Sequence, residues 1–594
     1  MENKPINPKK RFSWVVKVLL GVGIMGVILL LSAIAGAWYL RGKLPNELKQ
    51  LVYKKSKGVY TLDFDQMRVN LIGGNVRLIG LSLKADTNQY FKQGDSSKVL
   101  VNISAETFSL KGIQVWSYLR SKELHVEGIQ LDNPSIFLLH MPLKVKPDSI
   151  EDKSSLFDKI PEPLKGLQLA FIEVNQLSFS QNKLGYQHQK PNVLKGISFK
   201  IEDIKLDEEA LADTNRLWFS KQIELDSRDV AYNLSDSLYL LKLGRIAISS
   251  AKKQIQVEQF QLIPRLNELE FYRKLGTEGD RYDLTISNII LKNLDFKGLE
   301  TSGQIFADSL ILSGGDIKIF NNKTLPETGK NKIRNAPHLA LQRLKIPINI
   351  QTLALQHFTV SYREKTPVSN AIGNVLFTHL NGAFDHVTND SAAIKANPWA
   401  TSHFEMDFLD KAKVKVDLNL DLSSPVGAFT YTGSMAPARV SDFNVLLQPM
   451  AMMKATKGYI SRLTFDIKAN MKGASGYIDF HYKDLAADML IRENNGAIGR
   501  RGLLSFLANE LVIIPSNPIS GEAVRRPQIH YTHPATRSFF NLMWKGVFEG
   551  IKQTVNAYGQ DARQRKEIQR QLRKESRKER REQRRQKRAA KKAG

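Results

Sequence analysis

Three groups of residues have types and spacings that chemistry could use. GVGIMG, Gly21 to Gly26, fits the G-x-G-x-x-G pattern of a dinucleotide-binding turn. Such a turn needs a strand before it and a helix with a polar side after it. Here an apolar run passes straight through the glycines, and the acidic residue expected downstream, Glu47, stands behind Pro45 rather than at the tip of a second strand. His530 and His533, in HYTH, have a spacing that two metal ligands could use, but the sequence offers no obvious third ligand. Their polar stretch before Pro534 reads as surface. Glu208/Glu209 read as solvated carboxylates, and Asp484, in FHYKDL, as a strand-end or turn residue. There is no G-x-S-x-G, no G-x-x-x-x-G-K-[ST] and no H-E-x-x-H. The absence of cysteine excludes disulfides, thiolate nucleophiles, iron–sulfur clusters and Cys-type zinc sites. No catalytic, cofactor-binding or metal-binding residue is expected, and the chain reads as a non-enzyme.

The elements around these groups explain them better than chemistry does. From Val18 to Leu40 no residue is charged, and a helix of that length covers roughly 30 Å, the thickness of a bilayer's hydrocarbon. The glycines then serve close helix approach, as do Ser32/Gly36 and Ala33/Ala37. Lys4, Lys9, Lys10, Arg11 and Lys17 precede the run, whereas Arg41, Lys43 and Lys49 follow it with Glu47 among them. The more basic side stays in the cytoplasm, so the expectation is an uncleaved signal anchor with residues 1–17 inside and the bulk outside. The rival reading is a cleaved signal peptide, because Ala33-Ile-Ala35 and Ala35-Gly-Ala37 resemble cleavage sites.

Beyond a short helix expected over Asn46 to Lys57, the apolar period becomes two. In VKVDLNLDL, Val414 to Leu422, every second residue is apolar, which predicts a strand with one apolar and one wet face. Similar alternation marks Tyr60–Leu71, Arg77–Leu83, Val99–Ala105, Gln254–Leu262, Phe404–Phe408 and Gly476–Tyr482. More than fifteen strands are expected, mostly antiparallel. A spacing of 2, 5 and 2 recurs at Ile129/Leu131/Ile136/Leu138, Leu310/Leu312/Ile317/Ile319 and Leu353/Leu355/Val360/Tyr362. It reads as an apolar pair, a turn or bulge, and a second pair, or as a coincidence of alternating sequence. The apolar face must be covered by a second sheet, by barrel closure or, in an open trough, by lipid tails.

Three segments carry a resemblance: YTLDFDQMRVNLIGGNVRLIGLSL (Tyr60 to Leu83), LHVEGIQLDNPSIFLL (Leu124 to Leu139) and FNVLLQPMAMMKATKGYISRLTFDIKANMKGASGYIDFHYKDLAADML (Phe443 to Leu490). In this order, behind one signal-anchor helix, they resemble the AsmA-like family of Gram-negative bacteria, with its TamB and YhdP relatives, and most of all the Bacteroidota-type members. The resemblance spans Val18 to about Val555, and its most specific part is the C-terminal block. It implies a mainly β protein: a transmembrane helix at 18–40, then an elongated, curled antiparallel sheet forming an open periplasmic trough at 41–490, with the family block at 443–490. It also implies a place in outer-membrane biogenesis, in phospholipid transport between membranes and in the assembly or targeting of proteins to the membrane. The localisation implied is the inner membrane, single-pass, with the bulk periplasmic.

A lipid in water exposes its tails at about 0.8 kcal/mol per CH₂, so an apolar groove needs no reactive side chain to carry one. Candidate lining residues are Phe64, Val69, Val126, Leu131, Ile136, Val416, Leu418, Leu420 and Phe465, each of which could equally be plain core. Residues 491–559 are expected to form a helical C-terminal cap, with a short helix at Gly502 to Leu511. An amphipathic helix within Pro534 to Val555 would carry Phe540, Trp544, Val547, Phe548 and Ile551 on its apolar face, docking on the sheet or lying on a membrane. The chain's net charge is +27. Residues 560–594 hold 16 Lys/Arg against 5 Asp/Glu, a basic tail that is either disordered or a single charged helix. Expected partners are the membrane itself, phospholipid or another lipid, an anionic envelope polymer such as lipopolysaccharide or peptidoglycan, and an outer-membrane assembly protein. Nucleic acid is disfavoured, because the tail lies outside the cytoplasm and carries no aromatic residues to stack bases. The alternative to transport is a non-transporting envelope scaffold held through its tail.

Overall fold

The computed structural model describes residues 44–556 except 71, 94–98, 115–116, 118–119, 122, 142–165, 184–192, 235–237, 493–497 and 501–512. The expected anchor at Val18 to Leu40, the helix at Gly502 to Leu511 and the tail at 560–594 therefore lie outside the described residues. No helix among the described residues is long and apolar enough to cross a membrane.

The protein is mainly β, and 22 strands belong to one large mixed sheet. In chain order the strands are β1 Tyr60–Asp63, β2 Gln66–Asn70, β3 Asn75–Ala85, β4 Val99–Lys111, β5 Glu123–Asp132, β6 Ser135–His140, β7 Gly166–Lys183 and β8 Val193–Leu206. They continue as β9 Gln222–Asn233, β10 Tyr239–Ser249, β11 Gln254–Pro264, β12 Asp280–Lys292, β13 Ile305–Asn322, β14 Ile348–Lys365, β15 Ile372–Thr388 and β16 Trp399–Phe408. The last are β17 Ala412–Asp421, β18 Phe429–Met435, β19 Ala438–Arg439, β20 Met453–Asn470, β21 Gly473–Arg492, β22 Ile498–Arg500 and β23 Gln528–Thr532. The helix before β1 runs Leu44–Lys55, two residues earlier at each end than its periodicity suggested.

Two compact units divide the chain. The first takes residues up to Arg265 with Leu284–Gly314 and Lys345–Leu353, and the second takes Leu266–Asp283, Gly315–Leu344 and Ala354 onward. In the first unit β3 pairs with β4, β4 with β5 and β6, and β7 with β8; β8 to β12 then follow in antiparallel succession. One departure from an all-antiparallel sheet occurs here: β7 runs parallel to both β5 and β6. A parallel return needs a long crossover, and the chain between His140 and Gly166 supplies the length. In the second unit β15 to β18, β20, β21 and β23 form an antiparallel ladder. Strand β23 lies within the stretch expected to be a purely helical cap; it adds to the outer edge of β21 along Gly473 to Tyr477, satisfying backbone groups that an edge strand would otherwise leave open.

The recurring 2-5-2 spacing has a backbone cause. In all three instances the second of the four central residues is left-handed: Asn133 at φ 49°, Gly314 at φ 66° and His357 at φ 57°. The same conformation occurs in mid-strand at Gly80, Gln176, Gly196, Asp229, Gln259, His379 and Asp484. Side chains alternate across a strand, so an odd step would flip the apolar set to the other face. A left-handed residue rotates the chain and restores the original face, as in a bulge. In the first unit these residues stand level with one another. Asn133 sits opposite Gln176 in the parallel register, and Gln259 stands between the pairs Glu258↔Asn288 and Phe260↔Ile286.

Candidate functional site

Gly21 to Gly26 lie outside the described residues, and the described groups singled out for chemistry make structural contacts. His530 is exposed, while His533, expected at the surface, is buried with its Nε2 3.2 Å from the Arg537 carbonyl. The two do not converge, and no cluster of three or more His, Cys, Asp or Glu among the described residues could hold a metal ion. Asp484 is one of the left-handed residues of β21, and its N–H donates to Ser516 Oγ at 3.2 Å. Glu209 pairs with Lys205 at 2.8 Å.

The C-terminal block is a set of polar locks around an aromatic core. Asn444 donates from Nδ2 to the Ala455 carbonyl at 2.8 Å and accepts from the Ala455 N–H at 2.7 Å, which pins the helix Asn444–Ala451 to β20. Asn517, 1% exposed, donates to the Phe480 carbonyl at 2.6 Å and accepts from the Arg525 N–H at 2.9 Å. The Tyr482 hydroxyl donates to the Ile514 carbonyl at 3.1 Å. Asp479 accepts from Arg526 at 3.0 Å and lies 2.8 Å from His481 Nε2. Burial opposes its charge, but these partners prevail and hold its carboxyl below the usual range. A buried amide or carboxylate is tolerated only when it is fully partnered. The motif residues Asn444, Asp479 and Tyr482 therefore help to fix the fold.

The helix Phe539–Val555 begins with Ser538 as N-cap and docks on this block. Its buried residues are Phe539, Leu542, Gly546, Gly550 and Thr554. The expected apolar face is corrected at Phe540, which is 71% exposed; Trp544, Val547 and Ile551 pack half-buried against the core as expected, and Phe548 is half-buried. The buried glycines lie at the closest contact. A Cβ on Gly546 would stand 2.4 Å from the Tyr431 hydroxyl, and one on Gly550 would stand 2.6 Å from Ile478. The helix settles on its smallest residues, with the Tyr431 hydroxyl donating to the Met543 carbonyl at 3.1 Å. The sequence signal was present as glycines four apart, beside a louder stripe of aromatics.

The most extensive candidate surface is the apolar face of the first unit. One cross-strand row begins with Met67, Leu78, Phe108, Leu131 and Val174. It continues through Phe199, Leu225, Ile248, Ile255 and Leu291, so that ten strands contribute a large apolar residue at one level. The two halves differ in burial. Leu78, Phe108 and Val174 are 2–7% exposed, in a core that Leu48 and Val52 of the helix Leu44–Lys55 help to close. From Phe199 onward every member is only half-buried. The rows beside it are mixed: Ile246, Val257 and Ile289 face one another half-exposed, as do Leu241, Leu262 and Leu284, but Val230 and Ile286 in the row between are buried, and Ile248, Ile255 and Leu291 pack against Leu294 and Phe296. With strands about 4.8 Å apart and about 3.3 Å per residue, this half-open carpet over β9 to β12 measures about 14 by 20 Å. Its reverse face is a polar ladder in which Gln254 donates to Gln256, Gln256 donates to Glu258, and Arg245 bridges Asp226 and Glu258.

The expected lining residues fall on both sides of this division. Phe64, Val126, Leu418 and Leu420 are sealed in cores at 3–8% exposure. They present no surface, because alternation alone cannot tell a covered apolar face from an open one. Leu131 and Ile136 pack half-buried against the first unit's core, and Phe465 does so in the second. Val416 is half-buried, and Val69 is 38% exposed. The open stretch on β9 to β12 drew no candidate from its sequence except the alternation at Gln254–Leu262.

No protein-family model matches the chain, and no curated protein matches its sequence.

Proposed function

We propose that the protein is a membrane-anchored lipid carrier of the bacterial envelope, held in the inner membrane by Val18 to Leu40. The apolar face of β9 to β12 shields the acyl chains of phospholipid on their way through the periplasm in outer-membrane biogenesis. The carrying observation is the half-open part of the apolar carpet: the rows of Leu241, Leu262 and Leu284 and of Ile246, Val257 and Ile289 are half-exposed, whereas the row of Ile248, Ile255 and Leu291 packs against Leu294 and Phe296. A contiguous exposed apolar patch on a soluble domain is often functional. A surface without reactive or fixed polar groups suits a cargo whose common property is hydrocarbon. The anchor, the order of the β segments and the C-terminal block fit the resemblance to AsmA-like proteins, and assistance to protein assembly or targeting at the membrane belongs to the same reading.

A photo-crosslinking residue placed in the full chain tests this in cells. Installed at Val257 or Ile246 it should capture phospholipid, identified by mass spectrometry of the adduct. At Gln256, on the polar face of the same sheet, it should not. Equal or absent labelling at Val257 and Gln256 would sink the carrier reading. It would leave the envelope scaffold, with the basic tail at 560–594 on anionic lipid, lipopolysaccharide or peptidoglycan, as the better account.

A further inference from the structure

The β2–β3 hairpin ends in an apolar side chain with nowhere to go. Ile72 is 102% exposed and Val69 38% exposed. The tip is nevertheless a built structure. Gly73 N–H donates to Asn70 Oδ1 at 3.1 Å, Gly112 N–H donates to Asn75 Oδ1 at 2.9 Å, and Ile113 N–H donates to the Gly74 carbonyl at 2.9 Å. Gly74 is left-handed at φ 61°, and a Cβ there would meet the Ile113 carbonyl at 2.4 Å. A hairpin tied this firmly to the end of β4 holds Ile72 outward in a fixed place.

Two arginines stand behind the tip. Arg68 and Arg77 face each other in register across the hairpin, both exposed. Arg68 has Gln66 Oε1, at 3.3 Å, as its side-chain partner among the described residues. Directly opposed like charges weaken a strand pair; the Asp132 carboxylate lies near enough to Arg77 to be stabilised by its charge, while Arg68 has no such carboxylate beside it among the described residues. An apolar point backed by cations is the arrangement that suits the boundary between acyl chains and phosphate head groups.

The helix Leu44–Lys55 shows which way this tip faces. Near its C-terminal end the Tyr53 carbonyl accepts from Gly58 N–H at 2.7 Å. One turn earlier Lys49 pairs with Asp63 at 2.5 Å and lies over the Phe64 ring at 4.7 Å. The helix thus runs antiparallel to the path from β1 into β2, and its N-terminus points toward the hairpin tip. The apolar run of Val18 to Leu40 ends four residues before Leu44. We infer that the β2–β3 tip, with Val69 and Ile72 leading and Arg68 and Arg77 behind, seats in the phospholipid bilayer that holds the anchor. This rests on reading Val18 to Leu40 as an anchor, and it fixes the closed β2–β3 end of the first unit against the membrane.

The chain has no cysteine, so a single one can be placed at will. Ile72→Cys and, as reference, Asn88→Cys in the helix beyond the other end of β3 would carry an environment-sensitive fluorophore. The full chain would be reconstituted in phosphatidylethanolamine–phosphatidylglycerol vesicles containing lipids with spin labels near the head group. The expected result is blue-shifted emission and lipid quenching at Ile72→Cys, with an aqueous, unquenched spectrum at Asn88→Cys. Replacing Arg68 and Arg77 by Gln should weaken the Ile72→Cys quenching in a salt-dependent way, each arginine at an anionic surface being worth about fivefold in partitioning. An aqueous, unquenched Ile72→Cys in protein that floats with the vesicles overturns the seating and leaves the anchor standing. Protein that does not float overturns the anchor and the seating together.

Discussion

Asp479 shows how a single residue can hold a late part of the chain in place. Its carboxylate joins β21 to Arg526 while His481 and Arg462 stand nearby. Because its folded pKa lies below the unfolded value of 3.8, the stabilisation is fully present above that value. It is lost as pH falls through the lower folded value. Asp479→Asn should cost about 2 kcal/mol at pH 7, the scale of a hydrogen bond to a charged group. It should also flatten the acid limb of the stability curve below about pH 4. Chemical denaturation of wild type and variant across pH 3 to 7 reads both effects, and an unchanged acid limb would show that the carboxylate is not the group responsible. His338 is a second such position: 1% exposed between the rings of Phe429 and Phe539, its ring is kept neutral by burial, which pulls its pKa down.

At the scale of the strand, the left-handed kinks make an equally sharp claim. Gln259 adopts φ 52° in the middle of β11, a conformation that β-branched residues scarcely enter. Gln259→Val should destabilise by about 1–3 kcal/mol, while Gln256→Val, three residues away in extended backbone, should stay within about 0.5 kcal/mol. Thermal or urea unfolding of the pair decides this, and equal effects would mean that the kink carries no strain. Much of this level was legible in the sequence. Alternation over Gln254–Leu262, Val414–Leu422 and Gly476–Tyr482 marks β11, β17 and β21, and the 2-5-2 spacing marks the kinks. What it could not show was which apolar faces are covered. Leu418 and Val257 stand in runs that alternate in the same way, yet Leu418 is sealed while Val257 lies half-open. The difference comes from residues far away in sequence, such as those of the helix Phe539–Val555. The parallel register of β7 was hidden for a similar reason, since strand direction depends on a crossover rather than on the strand.

For the whole molecule, the orientation expected from the basic flank is the prediction on which the proposed role depends. In intact spheroplasts, Asn88→Cys should react with a membrane-impermeant maleimide, whereas Asn7→Cys should react only after lysis. The reverse pattern would put the β units in the cytoplasm and end the envelope reading.

The level line of kinks across the first unit has a further meaning for assembly. In a sheet of many similar strands, a partner that slips by two residues still matches apolar to apolar, so pattern alone does not forbid it. A slipped strand would, however, carry its left-handed residue off the level shared by Asn133, Gln176, Asp229, Gln259 and Gly314. That line is like the notch on a stack of cards, a mark by which strands in step differ from strands out of step.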